Sequence, residues 1–242
     1  MAAARRPALR RWRGVTRRAL PLSRLWRTGL LAFAMALPAV AALAVTEDCM
    51  GPITDAAYEA ETDRYPHGAL GDDIEYGAMS VWVQLASPCR AGRVGVRVTL
   101  PDALVFEDIP TPRLADLDGD GEPEVLAVES HQSKGARVAV YGVRGTTIER
   151  IATTPHIGTR FRWLSLIGAA DFDGDGHVEI AYVDRPHLAR TLRFWRFKNG
   201  KLTEVASQSG LTNHRIGETF ISGGIRTCGA APEVVTVNAN WS

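Results

Sequence analysis

The amino-acid sequence predicts an all-β fold, a β-propeller of about four blades, each a four-stranded antiparallel meander. Three observations carry that expectation. LADLDGDGEPEVLAV starting at Leu114 nearly superimposes on AADFDGDGHVEIAYV starting at Ala169, which places Asp116 and Asp171 55 residues apart. Each copy is followed by two alternating, β-branched runs around a Gly-containing turn, GARVAVYGVRGTTIERIA from Gly135 and ARTLRFWRFKNGKLTEVA from Ala189. Weaker copies flank these two, and a period of about 40–50 residues with four strands per unit is the pattern of propeller blades.

Taken in chain order, residues 1–44 come first and stand apart. They hold nine arginines and no acidic residue, then an apolar stretch from Gly29 to Ala44 that ends in Ala42-Leu43-Ala44. A basic segment, an apolar run too short for a bilayer and a small-x-small cleavage pattern describe a signal peptide. The expected mature domain is therefore 45–242. A degenerate first unit is placed by HGALGDDIEYGAMSVWV from His67, and a fourth by HRIGETF from His214 and CGAAPEVVTVNANW from Cys228. The four units are anchored by Glu75, Glu124, Glu179 and Glu233, with separations of 49, 55 and 54 residues. Strands are expected near 78–84, 93–100, 123–129, 136–142, 178–183, 190–197, 202–206 and 233–237, with no amphipathic helix. The fourth unit has two recognisable strands, so either residues 45–64 supply another and close the ring, or the ring is incomplete.

Composition narrows the function. The 198 residues after the signal segment carry 19 basic against 27 acidic side chains, about −8, where the whole chain carries +1. A nucleic-acid partner calls for clustered Lys and Arg, whereas here acids are concentrated in two short loops, which points to cations. Three cysteines, Cys49, Cys89 and Cys228, allow one intrachain disulfide in an oxidising compartment. The sequence leaves the pairing open; Cys49 with Cys228 is favoured, because it would tie the start of the domain to its last repeat.

The loops carry the chemistry. Asp116, Asp118 and Asp120 alternate, Gly121 allows a sharp turn and Glu124 follows; Asp171, Asp173, Asp175, Gly176 and Glu179 repeat the arrangement. Calcium takes six to eight hard oxygens at about 2.3–2.6 Å, and loop positions 1, 3, 5, 7 and 9 converge when such a loop coils. Position 7 contributes its backbone carbonyl, so Glu122 and His177 complete the two predicted ligand sets. Without a cation the carboxylates would repel one another. An EF-hand is excluded as the frame: VLAVES and IAYVDR are strand-like, and Ala127 and Tyr182 stand where its bidentate glutamate would be.

The strand, DxDGDGxxE loop and strand resemble FG-GAP/VCBS repeats, the blades of propellers like that of the integrin α-subunit. The resemblance extends more weakly over about residues 60–242, and the HGALGDDIE, RPH, HRIG and ISGG stretches are similar to exported bacterial VCBS-repeat proteins. It implies calcium loops that stiffen the blades carrying them, here the second and third since the first and fourth units lack the aspartates, ligands bound elsewhere, and a periplasmic or secreted scaffold or binding module with a protein or carbohydrate partner.

A second cluster stands at strand ends: Tyr65, His67, His131, Arg160, Arg162, Trp163, Arg185, His187, His214 and Arg215. Gathered on one rim, these side chains would form an anion or carbohydrate site or cap contacts between blades. Trp163, Trp195 and Trp241 read as packing residues. No catalytic residue or organic-cofactor site is assigned, since the sequence has no nucleophile elbow, HExxH, phosphate loop or dinucleotide fingerprint. The alternative is a periplasmic hydrolase acting on an anionic or sugar substrate at the rim, with Asp184 and His187 as acid and base.

Overall fold

The computed structural model describes residues 45–87, 89, 91–107, 111–229 and 231–241. The predicted signal peptide lies outside them. All the described regular structure is β except a 3₁₀ turn at Glu47–Cys49, and every strand pair is antiparallel. The first unit comprises β1 (Met50–Thr62), β2 (Glu75–Leu85), β3 (Gly92–Thr99) and β4 (Leu104–Phe106). The second comprises β5 (Arg113–Ala115), β6 (Glu124–His131), β7 (Gly135–Arg144) and β8 (Thr147–Thr153), and the third β9 (Leu164–Ala170), β10 (Glu179–Asp184), β11 (Thr191–Lys198) and β12 (Lys201–Ser209). The last has β13 (Leu211–Thr212), β14 (Gly224–Arg226), β15 (Glu233–Val235) and β16 (Val237–Asn238). Each anchoring glutamate of the repeat opens a strand: β2, β6, β10 and β15.

The second and third units are consecutive meanders, β5-β6-β7-β8 and β9-β10-β11-β12, as the repeat requires. The outer units depart from that plan. β4 bridges β2 to β6, joining the first two units in one eight-stranded sheet, and the last unit forms two separate two-stranded pairs, β13 with β16 and β14 with β15. The segment expected to close a ring pairs instead with its own unit: β1 runs along β2 from Met50 opposite Leu85 to Thr62 opposite Glu75. That register also corrects the disulfide. It places Cys49 beside the end of β2, where its carbonyl accepts from the Ala86 amide at 2.9 Å. Cys49 is therefore bonded to Cys89, with Cα atoms 5.5 Å apart, while Cys228 is free and exposed.

The core follows from strand alternation. Both faces of β6 and of β10 are buried, so each reads as a near-continuous apolar run and successive side chains serve different layers. Val125 and Ala127 pack with Ile53, Met79 and Val81 of the first unit. Leu126 and Val128 meet Leu164, Leu166, Ile180 and Tyr182 of the third, and Ala181 and Val183 pack with Leu211, Ile225 and Val234 of the last. Three apolar layers thus separate four successive units. Leu126 and Ile180 are fully enclosed, and truncating either to alanine would cost about 2–5 kcal/mol.

Candidate functional site

The two acidic loops occupy equivalent places, between β5 and β6 and between β9 and β10. Their internal hydrogen bonds match nearly one for one. The Asp116 carboxylate accepts from the Gly119 amide at 2.8 Å and the Gly121 amide at 2.9 Å; Asp171 accepts from Gly174 at 2.7 Å and Gly176 at 3.0 Å. Such close wrapping needs left-handed backbone at both glycines, with φ of 78° and 88° in the first loop and 74° and 84° in the second. The closing glutamates point back inside: Glu124 accepts from the Leu117 amide at 2.9 Å and Glu179 from the Phe172 amide at 3.1 Å.

This coiling brings Asp116, Asp118 and Glu124 together, and likewise Asp171, Asp173 and Glu179. In each triplet one oxygen per residue lies within 4.8 Å of the others. That is the span of oxygens held about 2.4 Å from one centre, so the donor sets fit a hard divalent cation. Asp120 and Asp175 stand outside the triplets, where each carboxylate caps the amide two residues on, Glu122 at 2.7 Å and His177 at 3.0 Å. Glu122 and His177 were assigned through their backbone carbonyls, which leaves their side chains free for other contacts; His177 Nε2 lies 3.0 Å from Lys198 Nζ.

One difference separates the loops, and the residue-by-residue repeat did not reveal it. In the second, Arg196 on β11 lies directly opposite Glu179. Its guanidinium reaches Glu179 at 2.7 Å, Asp173 at 2.6 Å and Asp175 at 2.9 Å. Those carboxylates raise the arginine pKa above its ordinary value, Glu179 foremost. In the first loop the matching place belongs to Gly142, one step beyond the Val125–Tyr141 pair, whose missing side chain faces Glu124. A hollow of about 50 Å³ lies there, lined by Asp118, Asp120, Glu124 and Gly142. Among the described residues no basic side chain forms an ion pair with the first loop. Burial, and then the charges of Asp118, Asp120 and Asp116, push the Glu124 carboxyl up to about 7.

The comparisons with known proteins bear on these loops. Residues 116–182 match the family model of the FG-GAP-like repeat. The chain carries an FG-GAP-like repeat. No curated protein and no solved structure matches it. The FG-GAP-like segment begins at the first aspartate of the first loop and ends within β10, so it contains both loops and the meander between them.

Of the second predicted cluster, His67, Arg162, Trp163, Arg185 and His187 line one cavity of about 280 Å³. Tyr65 packs against His67 and Phe161, and His214 against Trp163 and His187. Arg160 lies over the Phe161 ring at 4.5 Å. Two members are elsewhere: His131 contacts His156, and Arg215 covers Trp241 at 4.2 Å. Trp163 is buried, and Trp195 is packed against the same apolar layer. Asp184 and His187 have different partners. Asp184 is held by Arg185 at 2.7 Å and Arg193 at 3.1 Å, and His187 Nε2 by His214 Nδ1 at 2.8 Å. Glu107 was missed as a site residue. Fully buried, it hydrogen-bonds His67 Nδ1 and accepts from the Ser130 hydroxyl; its position in a short connection gave no pattern to read.

Proposed function

We propose that the chain is an exported calcium-binding β-propeller module of about four blades, which serves as a scaffold or binds a protein or carbohydrate ligand and carries out no reaction itself. The observation that carries this reading is the first loop: three carboxylates converge, one of them buried, and among the described residues no basic side chain forms an ion pair with them, Arg144 lining the same hollow without reaching one. Calcium fits better than magnesium, since a loop of backbone and carboxylate oxygens offers a larger, more forgiving cage than the tight octahedron magnesium demands. FG-GAP repeats often bind calcium, which agrees with this choice. The second loop binds more weakly, because Arg196 must leave its carboxylates before an ion enters. The four units, stacked through three apolar layers, are the blades, and the loops stiffen the second and third. Export to the periplasm or beyond accords with the N-terminal segment and with the Cys49–Cys89 bond.

Isothermal calcium titration of the purified protein tests the reading. One stronger and one weaker site are expected, with Asp116→Asn abolishing the stronger. Absence of binding up to several millimolar calcium, or equal binding by the variant, would overturn it.

A further inference from the structure

The cavity beneath the β9 and β10 ends has an apolar lip and a basic wall. Leu188 and Ile216 form the lip and are 61% and 83% exposed, so the mouth of the cavity offers apolar surface beside its charged wall. On the wall, Arg162 donates to the neighbouring Phe161 carbonyl at 2.9 Å and, among the described residues, forms no ion pair. Arg185 differs. Both oxygens of Asp184 grip its guanidinium, at 2.7 and 2.9 Å, so its charge is already matched.

The imidazoles add shape and hydrogen-bonding polarity. His214 Nε2 must donate to the Glu218 carbonyl at 2.9 Å, which leaves Nδ1 as acceptor; His187 Nε2 must then donate to it at 2.8 Å. That chain places a proton on His187 Nε2, and burial lowers the pKa of the ring, which favours its neutral form. His67 is anchored at Nδ1 by the buried Glu107. Aromatic faces are not free for a sugar ring: Phe161 stacks on His67 at 5.2 Å and carries Arg160 on it, and Trp163 meets His214 at 5.4 Å. At about 280 Å³ the cavity is at the small end for ligand sites, too small for a polymer segment.

We propose that this cavity binds a small organic monoanion with an apolar body, an aliphatic or aromatic carboxylate whose acid group meets Arg162 beside His67 and whose body lies against Leu188 and Ile216. This gives the binding-module reading a ligand class, yet it does not depend on calcium at the loops.

The test uses the full chain and four probes in isothermal titration: octanoate, octan-1-ol, inorganic phosphate and glucose, each with calcium and with chelator. Octanoate is expected to bind at least tenfold more tightly than the other three. Arg162→Gln should weaken octanoate about tenfold or more, the loss of a charge-assisted contact, while leaving octan-1-ol unchanged. Leu188→Ser with Ile216→Ser should weaken both; all three positions are at the surface or cavity wall, and an unchanged melting midpoint verifies folding. Octanoate binding that Arg162→Gln leaves intact, preference for glucose, or no octanoate binding in either buffer overturns the proposal. Octanoate binding in chelator with no calcium response would uphold the cavity and sink the metal reading, so the two fail separately.

Discussion

Glu124→Gln and Glu179→Gln are the same substitution at equivalent places, yet the structure predicts opposite outcomes without calcium. Glu124 has its carboxyl raised from 4.5 to about 7 by burial and neighbouring acids. A group whose pKa is higher in the folded state adds stability below its unfolded pKa and loses it as pH rises through the folded one. At pH 8 the ionised Glu124 therefore burdens the calcium-free fold by at most roughly 3 kcal/mol, from about 1.4 kcal/mol per pKa unit. Glutamine keeps the acceptor for the Leu117 amide and removes the charge, so calcium-free Glu124→Gln should melt higher, by up to about 10 °C for a chain of this size. Glu179, by contrast, is balanced by Arg196 at 2.7 Å, and its glutamine variant should melt lower. The assay is calorimetry in calcium-free buffer at pH 8, pH 5 and pH 4, and the Glu124→Gln gain should be mostly lost at pH 5 and smaller still at pH 4, below the unfolded value. A lower midpoint for Glu124→Gln at pH 8, or equal gains for both variants, would refute the reasoning.

Three further outcomes follow from the same geometry. Arg196→Gln should raise calcium affinity at the second loop until titration resolves two sites of similar strength; unchanged stoichiometry and affinity would contradict the role given to that guanidinium. Reducing the Cys49–Cys89 bond, which closes a loop of about 40 residues, should lower stability by roughly 4 kcal/mol on the chain-entropy account, measurable as a shift in urea midpoint. Burial lowers the pKa of His131, His156 and His187, so each favours its neutral form in the fold. Stability should then fall as pH drops below about 6.5, seen cleanly in a Glu124→Gln background where the opposing trend is gone, and His156→Gln should lessen the fall.

What the sequence revealed and what it concealed divide along one physical line. Local periodicity and loop chemistry were legible: all four anchoring glutamates open strands, and both loops coil as their Asp-Gly alternation requires. Pairing between distant segments was not. Residues 50–62, GPITDAAYEAET preceded by Met50, lack a clean apolar alternation because only one stretch of β1 is buried, so that strand could be placed only by its partner. The disulfide followed the same unseen register, and so did the difference between the loops, since Arg196 acts across a strand pair. Aligning the strand after each loop would have exposed that difference, with glycine at 142 and arginine at 196. The cavity arises from four connections meeting in space, at 67–69, 161–163, 185–188 and 216–217, with Glu107 supplied by a fifth, and no spacing along the chain encodes that.

The central claim is that folding is linked to calcium through these loops, and a melting experiment tests it most directly. Thermal unfolding is recorded with chelator, calcium or magnesium, beside an Asp118→Ala, Asp173→Ala double variant. Calcium at a hundredfold excess over its dissociation constant should stabilise the wild type by about 2.7 kcal/mol per occupied site, magnesium should do far less, and the double variant should not respond. An unmoved wild-type midpoint in calcium, or an equal rise in the double variant, would contradict the account.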